Sequence, residues 1–361
     1  MGPLRRTTLL ALAGALLAAA PAAATVTPIE TTDAPTPVSA DGQTAVFSVR
    51  ESSSALYFLA VSENGGPARG LGLPPRPVPF DADIGPDGAG GLAIVYSRCA
   101  RESGGRGVDR GCDLYRYRLT TGVEQRIAGA GGAGTSEQHP AISGSTIVFA
   151  QTRDDAPGAA PRVLLRDLTW PRSRASKELP GVPARVCTPS AVRGKPTCRT
   201  TRARRVTALD LSNRHVALAV AYDAGADAPD TEIRIATRDG RHARRLAHVS
   251  PGISGQQLIG PSLDGDFVFW ARTCGGDPSG CPDTTSGAFR HRIGTGRFWL
   301  AGFTRRLTGF AATGARRAYE VRAPEMPGGY CGNSLPAPRA TCQVVLDDAL
   351  PSFRPLAEPP R

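Results

Sequence analysis

The chain has 361 residues, of which 43 are Lys or Arg and 32 are Asp or Glu, for a formal charge of +11. Its 42 glycines and 32 prolines, with little helical patterning, exclude a helical bundle and favour short strands joined by many turns. Lys177 and Lys195 are the only lysines, and the aromatics do not interleave with the arginines. That pattern excludes a nucleic-acid stacking surface and leaves an anionic envelope polymer as a charge-matched partner.

Met1 to Arg6 is short and cationic, Leu9 to Ala20 is apolar, and Ala22-Ala23-Ala24 fits a small-residue cleavage site. Residues 1–24 therefore read as a secretory signal peptide, leaving 25–361 as one domain. The apolar run falls short of the roughly 20 residues of a spanning helix, and no later stretch is longer. With no cysteine near the cleavage site, a lipid anchor is not expected. The expectation is a soluble monomer, secreted or in the cell envelope.

After a short leader from Thr25 to Pro35, able to pair with the last repeat, one unit recurs six times. Each copy has a strand, a tight turn, an apolar second strand, a third strand and a short fourth. The copies lie near residues 35–75, 80–130, 137–181, 205–248, 257–302 and 307–356. Their turns are Asp41-Gly42, Asp87-Gly88, Ser143-Gly144, Ser212-Asn213, Asp264-Gly265 and Thr313-Gly314, each with Gly or Asn in second place. The second strands are Ala45–Val49, Leu92–Tyr96, Thr146–Ala150, His215–Val220, Phe267–Trp270 and Arg317–Val321. Short fourth strands close the repeats, the last of them Phe353–Leu356. The arginine- and proline-rich stretch Arg172–Arg205, and within it 182–204, reads as a surface connector. A flat sheet of so many strands would expose long edges, and radial closure removes them. The fold expected is all-β: a six-bladed β-propeller of four-stranded antiparallel blades.

Eight cysteines in an exported chain form a disulfide framework. Eight allow about 105 pairings, a choice the sequence leaves open. Neighbours group naturally as Cys99 with Cys112, Cys187 with Cys198, Cys274 with Cys281, and Cys331 with Cys342, three of them where a bridge would pin an insert between second and third strands. No C-x-x-C or histidine cluster supports a zinc site.

The repeat resembles the TolB-type propeller family. The resemblance is carried by Ser39-Ala40-Asp41-Gly42 with Phe47, Leu56-Tyr57, Asp113-Leu114-Tyr115, Thr121-Gly122 and Arg126-Ile127, and spans roughly Pro35 to Leu356. It implies a bacterial envelope propeller that acts mostly as a binding scaffold. The amino-terminal domain that precedes the TolB propeller has no counterpart in this sequence.

Serine-hydrolase, metalloprotease, P-loop and dinucleotide motifs do not occur. His139, His215, His242, His248 and His291 are scattered, and the aspartates of Asp223–Asp230 lack EF-hand spacing. One constellation is left. The leading residues of the first strands would ring a channel mouth: Asp81, Asp83, Glu137, Gln138, His139, Gln256 and Gln257, with Arg305 and Arg306 behind them. Such a ring either hydrates the mouth or binds a polar ligand or a divalent cation; no other cofactor is expected. The function expected is a non-catalytic scaffold for an envelope or secreted protein. The alternative is a propeller hydrolase or lyase working at that mouth.

Overall fold

The computed structural model describes residues 26–102, 109–156, 159–179, 185–192, 195–202, 205–222, 230–249, 256–274, 287–302, 307–314, 317–323, 341–348, 350 and 353–356. Successive side chains of a strand point to opposite faces, so a strand buried on both faces reads as a continuous apolar run. Six such runs form the second strands of six sheets.

Blade I consists of β2 (Val38–Asp41), β3 (Thr44–Arg50), β4 (Tyr57–Glu63) and β5 (Arg69–Gly70). Blade II is β6 (Asp83–Pro86), β7 (Leu92–Arg101), β8 (Arg110–Arg118) and β9 (Val123–Arg126). Blade III is β10 (Thr135–Ser143), β11 (Thr146–Arg153), β12 (Arg162–Asp167) and β13 (Lys177–Glu178). Blade IV follows as β16 (Arg205–Leu211), β17 (His215–Tyr222), β18 (Asp230–Thr237) and β19 (Arg244–Val249). Blade V is β20 (Gln256–Asp264), β21 (Phe267–Cys274), β22 (Gly287–Arg292) and β23 (Phe298–Gly302). Blade VI takes β24 (Leu307–Ala312), β25 (Ala318–Arg322) and β26 (Cys342–Asp347) from the end of the chain and β1 (Val26–Thr32) from its start. Each sheet is antiparallel; five run in sequence order from the inner strand outward, blade VI ends on β1 instead, and the six form a six-bladed β-propeller. No helix occurs among the described residues.

The core is divided among the six seams. On β3, Val46 joins the cluster shared with blade II, while Ala45 and Phe47 join the cluster shared with blade VI. On β7, Ile94 and Tyr96 face blade I, and Ala93 and Val95 face blade III. Trp270 and Val268 of β21 face blade IV, whereas Phe269 and Ala271 face blade VI. Each second strand thus feeds two apolar clusters. Inner strands approach closely where a side chain is missing: a Cβ on Gly85 would lie 2.4 Å from the Ile142 carbonyl oxygen.

Closure depends on β1. It pairs antiparallel with β26 from Val26↔Asp347 to Thr32↔Cys342 and buries Ile29 in the cluster between blades VI and I. The outer strand of the last blade therefore comes from the amino terminus. Phe353–Leu356 does not fill that place, contrary to the sequence expectation: β27 (Arg354–Leu356) pairs with β23 and becomes a fifth strand of blade V. Once the leader occupies the edge of β26, the chain end is left the free edge of the neighbouring blade.

The Arg172–Arg205 stretch is not a plain loop. It contains β13 and a separate antiparallel hairpin, β14 (Arg185–Val192) with β15 (Lys195–Arg202). Its register sets Cys187 opposite Thr200 and Cys198 opposite Pro189. Cys99 and Cys112 are directly paired across β7 and β8 and form a disulfide. Cys342 is buried and disulfide-bonded. For Cys187, Cys198 and Cys274 only the strand positions are described; Cys281, Cys331 and residues 1–25 lie outside the described residues.

Three consequences can be measured. Ile29→Ala is expected to cost about 2 kcal/mol by the cavity it leaves. Removing residues 26–32 should cost more and expose the β26 edge to aggregation; urea unfolding and light scattering read both. Replacing Cys99 and Cys112 by Ala opens a loop with a sequence separation of 13 and should lower the unfolding free energy by about 3 kcal/mol or less.

Candidate functional site: the central channel

The inner strands β2, β6, β10, β16, β20 and β24 surround the channel, and irregular pairing re-aims several of their side chains. Register shifts fall between Gln138 and Ala141, Val206 and Ala208, Ile259 and Ser262, and Leu307 and Gly309. A bulge adds local twist and turns a side chain away from its alternating position. In β10 the bulge holds His139 at φ +49°, and its backbone N–H donates to Asp81 Oδ2 at 2.7 Å.

A cavity of about 380 Å3 opens among blades I, II, IV, V and VI. Ser39, Asp83, Asp210, Gln257 and Ser262 supply its polar wall. Of the residues expected at the mouth whose side chains are described, Asp83 and Gln257 line this cavity and the others do not. Asp81 lies one alternation earlier and is turned into the seam: Ser97 donates through its N–H at 2.9 Å and its hydroxyl at 2.8 Å. Burial alone would raise the Asp81 pKa. His139, Arg76 and the donated N–H groups outweigh it and hold the carboxyl below its ordinary range.

Glu137 is buried within blade III, where the Thr135 hydroxyl (2.7 Å) and the Gln151 amide (3.0 Å) donate to it. Burial first, then Asp113 and Asp154, raise its pKa. Gln138 and His139 are half-buried and do not line the cavity. Burial also lowers the His139 pKa, against the pull of Asp81. Gln256 is described by its strand position alone, and Arg305 and Arg306 lie outside the described residues. The expected ring is therefore divided between the cavity and the seam of blades II and III.

Asp83 is 5 % exposed. Its Oδ1 accepts from the Ser39 hydroxyl of blade I at 2.5 Å, and its Oδ2 accepts from the Ile142 N–H of blade III at 2.9 Å. One carboxylate thus ties three blades together. Asp210 accepts from Leu211 N–H at 2.6 Å and from Leu263 N–H of blade V at 2.5 Å. The Ser262 hydroxyl donates to the Ala312 carbonyl at 3.1 Å and accepts from the Ala312 N–H at 3.2 Å, joining blades V and VI. Asp264 accepts from Gly314 N–H across the same seam. Tyr319 joins blades VI and I by donating to the Gln43 carbonyl at 2.7 Å.

These carboxylates raise one another. Desolvation lifts Asp83 to about 7, with Asp41 adding to the shift and the Ser39 and Ile142 hydrogen bonds opposing it. Desolvation and then the Asp83 charge push Asp210 well above its ordinary range. Asp41 is raised by burial and by Asp264. Among the described residues, no three His, Cys, Asp or Glu side chains form a group able to hold a metal ion.

Sequence reasoning missed Asp210, Ser39 and Ser262. A signal was available: all three stand three residues before the second turn residue, namely Asn213, Gly42 and Gly265. Asp41 and Asp264 were visible only as turn formers.

No family model matches the chain, and no curated protein matches it. Solved structures do. TolB from Acinetobacter baumannii is 15% identical, with 88% of this chain and 67% of that one covered and a TM-score of 0.45. A puromycin-hydrolyzing peptidase from Mycobacterium tuberculosis is 12% identical over 91% of this chain, with a TM-score of 0.47. The match covers 53% of the peptidase, so this chain spans about half its length. The β-propeller domain of the Trilobed protease from Pyrococcus furiosus is 8% identical, with 90% and 97% covered and a TM-score of 0.45. At these identities the likeness is one of fold, and the propeller is established here by strand order and register.

Asp83 gives a pH test. Its folded pKa of about 7 lies above the ordinary 3.8, so the folded state holds the extra proton. The stability this contributes is full below about 3.8 and is lost as pH rises through about 7. Relative to Asp83→Asn, the wild type should therefore lose melting temperature between pH 4 and pH 7 and run parallel above it. Thermal melts across that range check the slope.

Proposed function

We propose that the protein is an exported, non-catalytic binding propeller whose partner is another envelope or secreted protein. The observation that supports this reading is how the inner aspartates, two at the cavity and one in the seam of blades II and III, use their oxygens. Both oxygens of Asp81, Asp83 and Asp210 accept hydrogen bonds from the protein, five of them from backbone N–H groups. A carboxylate used as a clasp between blades is poorly placed to move protons to and from a substrate, because each change of charge would disturb a seam. The signal-like sequence of residues 1–24 supports export. No helix among the described residues is long and apolar enough to cross a membrane.

One observation favours a second reading. Asp83 and Asp210 share a cavity and hold protons at higher pH than ordinary aspartates. A carboxylic acid beside a carboxylate is the group that hydrolysis or elimination at a sugar or lactone requires.

Passing envelope extract over the immobilised, oxidised protein distinguishes the two. The expected result is one protein retained at a fixed ratio through a wash near 1 M salt, where the screening length is about 3 Å. Acidic polymer alone, released early in the wash, would replace the protein-partner reading with simple charge attraction. Turnover of a sugar ester or lactone that disappears in Asp83→Asn and Asp210→Asn, both still folded, would establish the second reading instead.

A further inference from the structure

The outer strands of blades II and III enclose a second cavity, of about 250 Å3, separate from the channel. Four guanidinium groups line it: Arg116 of β8, Arg126 of β9, Arg166 of β12, and Arg172 beyond β12, with Trp170 beside them. Among the described residues a single carboxylate, Asp113, is paired with any of these four, at 2.5 Å from Arg126. Arg116 makes its side-chain contact with the neutral Gln125, at 3.3 Å. Burial and then the nearby Arg118 charge disfavour its protonated form, and the Asp87 carboxylate only partly offsets them.

Arg166 forms the floor and is 2 % exposed. Its donors meet only carbonyl oxygens, those of Gly129 (3.0 Å), Arg174 (2.6 Å) and Pro171 (3.2 Å). Carbonyls satisfy its hydrogen bonds but leave its charge uncompensated, and a buried charge without an opposite partner is costly. The turn that holds it is shaped for it: a Cβ on Gly129, at φ +73°, would lie 2.7 Å from Arg166 Nη2. One wall is also fixed, because the Arg174 guanidinium stacks 3.8 Å over the Trp170 ring. Four positive charges, of which Arg126 alone is salt-bridged to a carboxylate among the described residues, thus converge from two blades on a cavity large enough for a small ligand.

We propose that this cavity binds a phosphate group, free or as a small ester. Guanidinium groups match the geometry of tetrahedral oxyanions, and a doubly charged phosphate offsets the local excess better than a single carboxylate does. This site is independent of the channel reading, since it shares no residue with it.

The test is calorimetric titration of the full protein with inorganic phosphate, glycerol phosphate and acetate at constant ionic strength. One phosphate site per chain is expected, weakened about tenfold or more in Arg116→Gln/Arg172→Gln, in keeping with two lost charge-assisted contacts. Arg69→Gln on blade I, an exposed arginine far from the cavity, should bind as the wild type does. Arg166→Met can unfold the seam, so the half-buried and exposed pair Arg116 and Arg172 decides the matter, with melting curves confirming that the variant is folded. Binding of inorganic phosphate alone identifies the free ion, and tighter binding of glycerol phosphate identifies the ester; both uphold the site. Three results would overturn it: no phosphate binding at millimolar concentration, equal weakening by Arg69→Gln, or acetate binding as tightly as phosphate.

Discussion

Each second strand in this protein has to lose water from both faces, and a closed ring gives every one of them two neighbours. A single blade would leave half of its apolar side chains in water, and an open row would leave two exposed ends. The Trp270 and Phe269 side chains of β21 serve different seams although they are adjacent in sequence. Closure must therefore happen at a definite place, and the amino-terminal β1 supplies it by pairing with β26. Because β1 and β26 are far apart in the chain, this last pairing ties both ends of the molecule into one cooperative unit.

The inner strands carry the second constraint. Around the axis the sheets come too close for large side chains, as Gly85 against Ile142 illustrates. Short polar residues take their place and bond across the seams. An aspartate suits this role because its two oxygens can reach two blades, which Asp83 does through Ser39 and Ile142. The cost is electrostatic. Several such carboxylates crowd one channel, and loss of water raises Asp83 and Asp210 more than any neighbouring charge does. Part of their charge is removed by protonation rather than by a counter-ion.

The architecture was legible in the sequence because it follows from local patterning. Turns such as Asp41-Gly42 and Asp264-Gly265 mark the register, and runs such as Leu92–Tyr96 announce strands buried on both sides. The destination of the chain end was not legible. Phe353–Leu356 has the character of an edge strand, and which edge it joins depends on whether β1 has already filled blade VI. That is a competition between distant segments, invisible to a local pattern. The site was half legible for a similar reason. Asp83 and Gln257 stand at the cavity as their strand positions imply, but the β10 bulge moves His139 out of step and Glu137 is enclosed by its own blade. A bulge can put the residues before it out of step with a count made back from the turn, as in β10, although Gln257 still reaches the cavity from behind the Ile259–Ser262 shift.

At the channel, Asp83 and Asp210 take backbone N–H groups of a neighbouring blade as partners. Farther out, carbonyls and aromatic rings receive several arginines: Arg166 on three carbonyls, Arg174 on Trp170, and Arg290 within 4.6 to 4.9 Å of Phe353, Phe267 and Trp299. An inner strand end presents donors to a carboxylate, while an outer turn such as Gly129–Ala130 or Pro171–Arg174 presents acceptors to a guanidinium. The same backbone geometry thus selects opposite charges at the two radii.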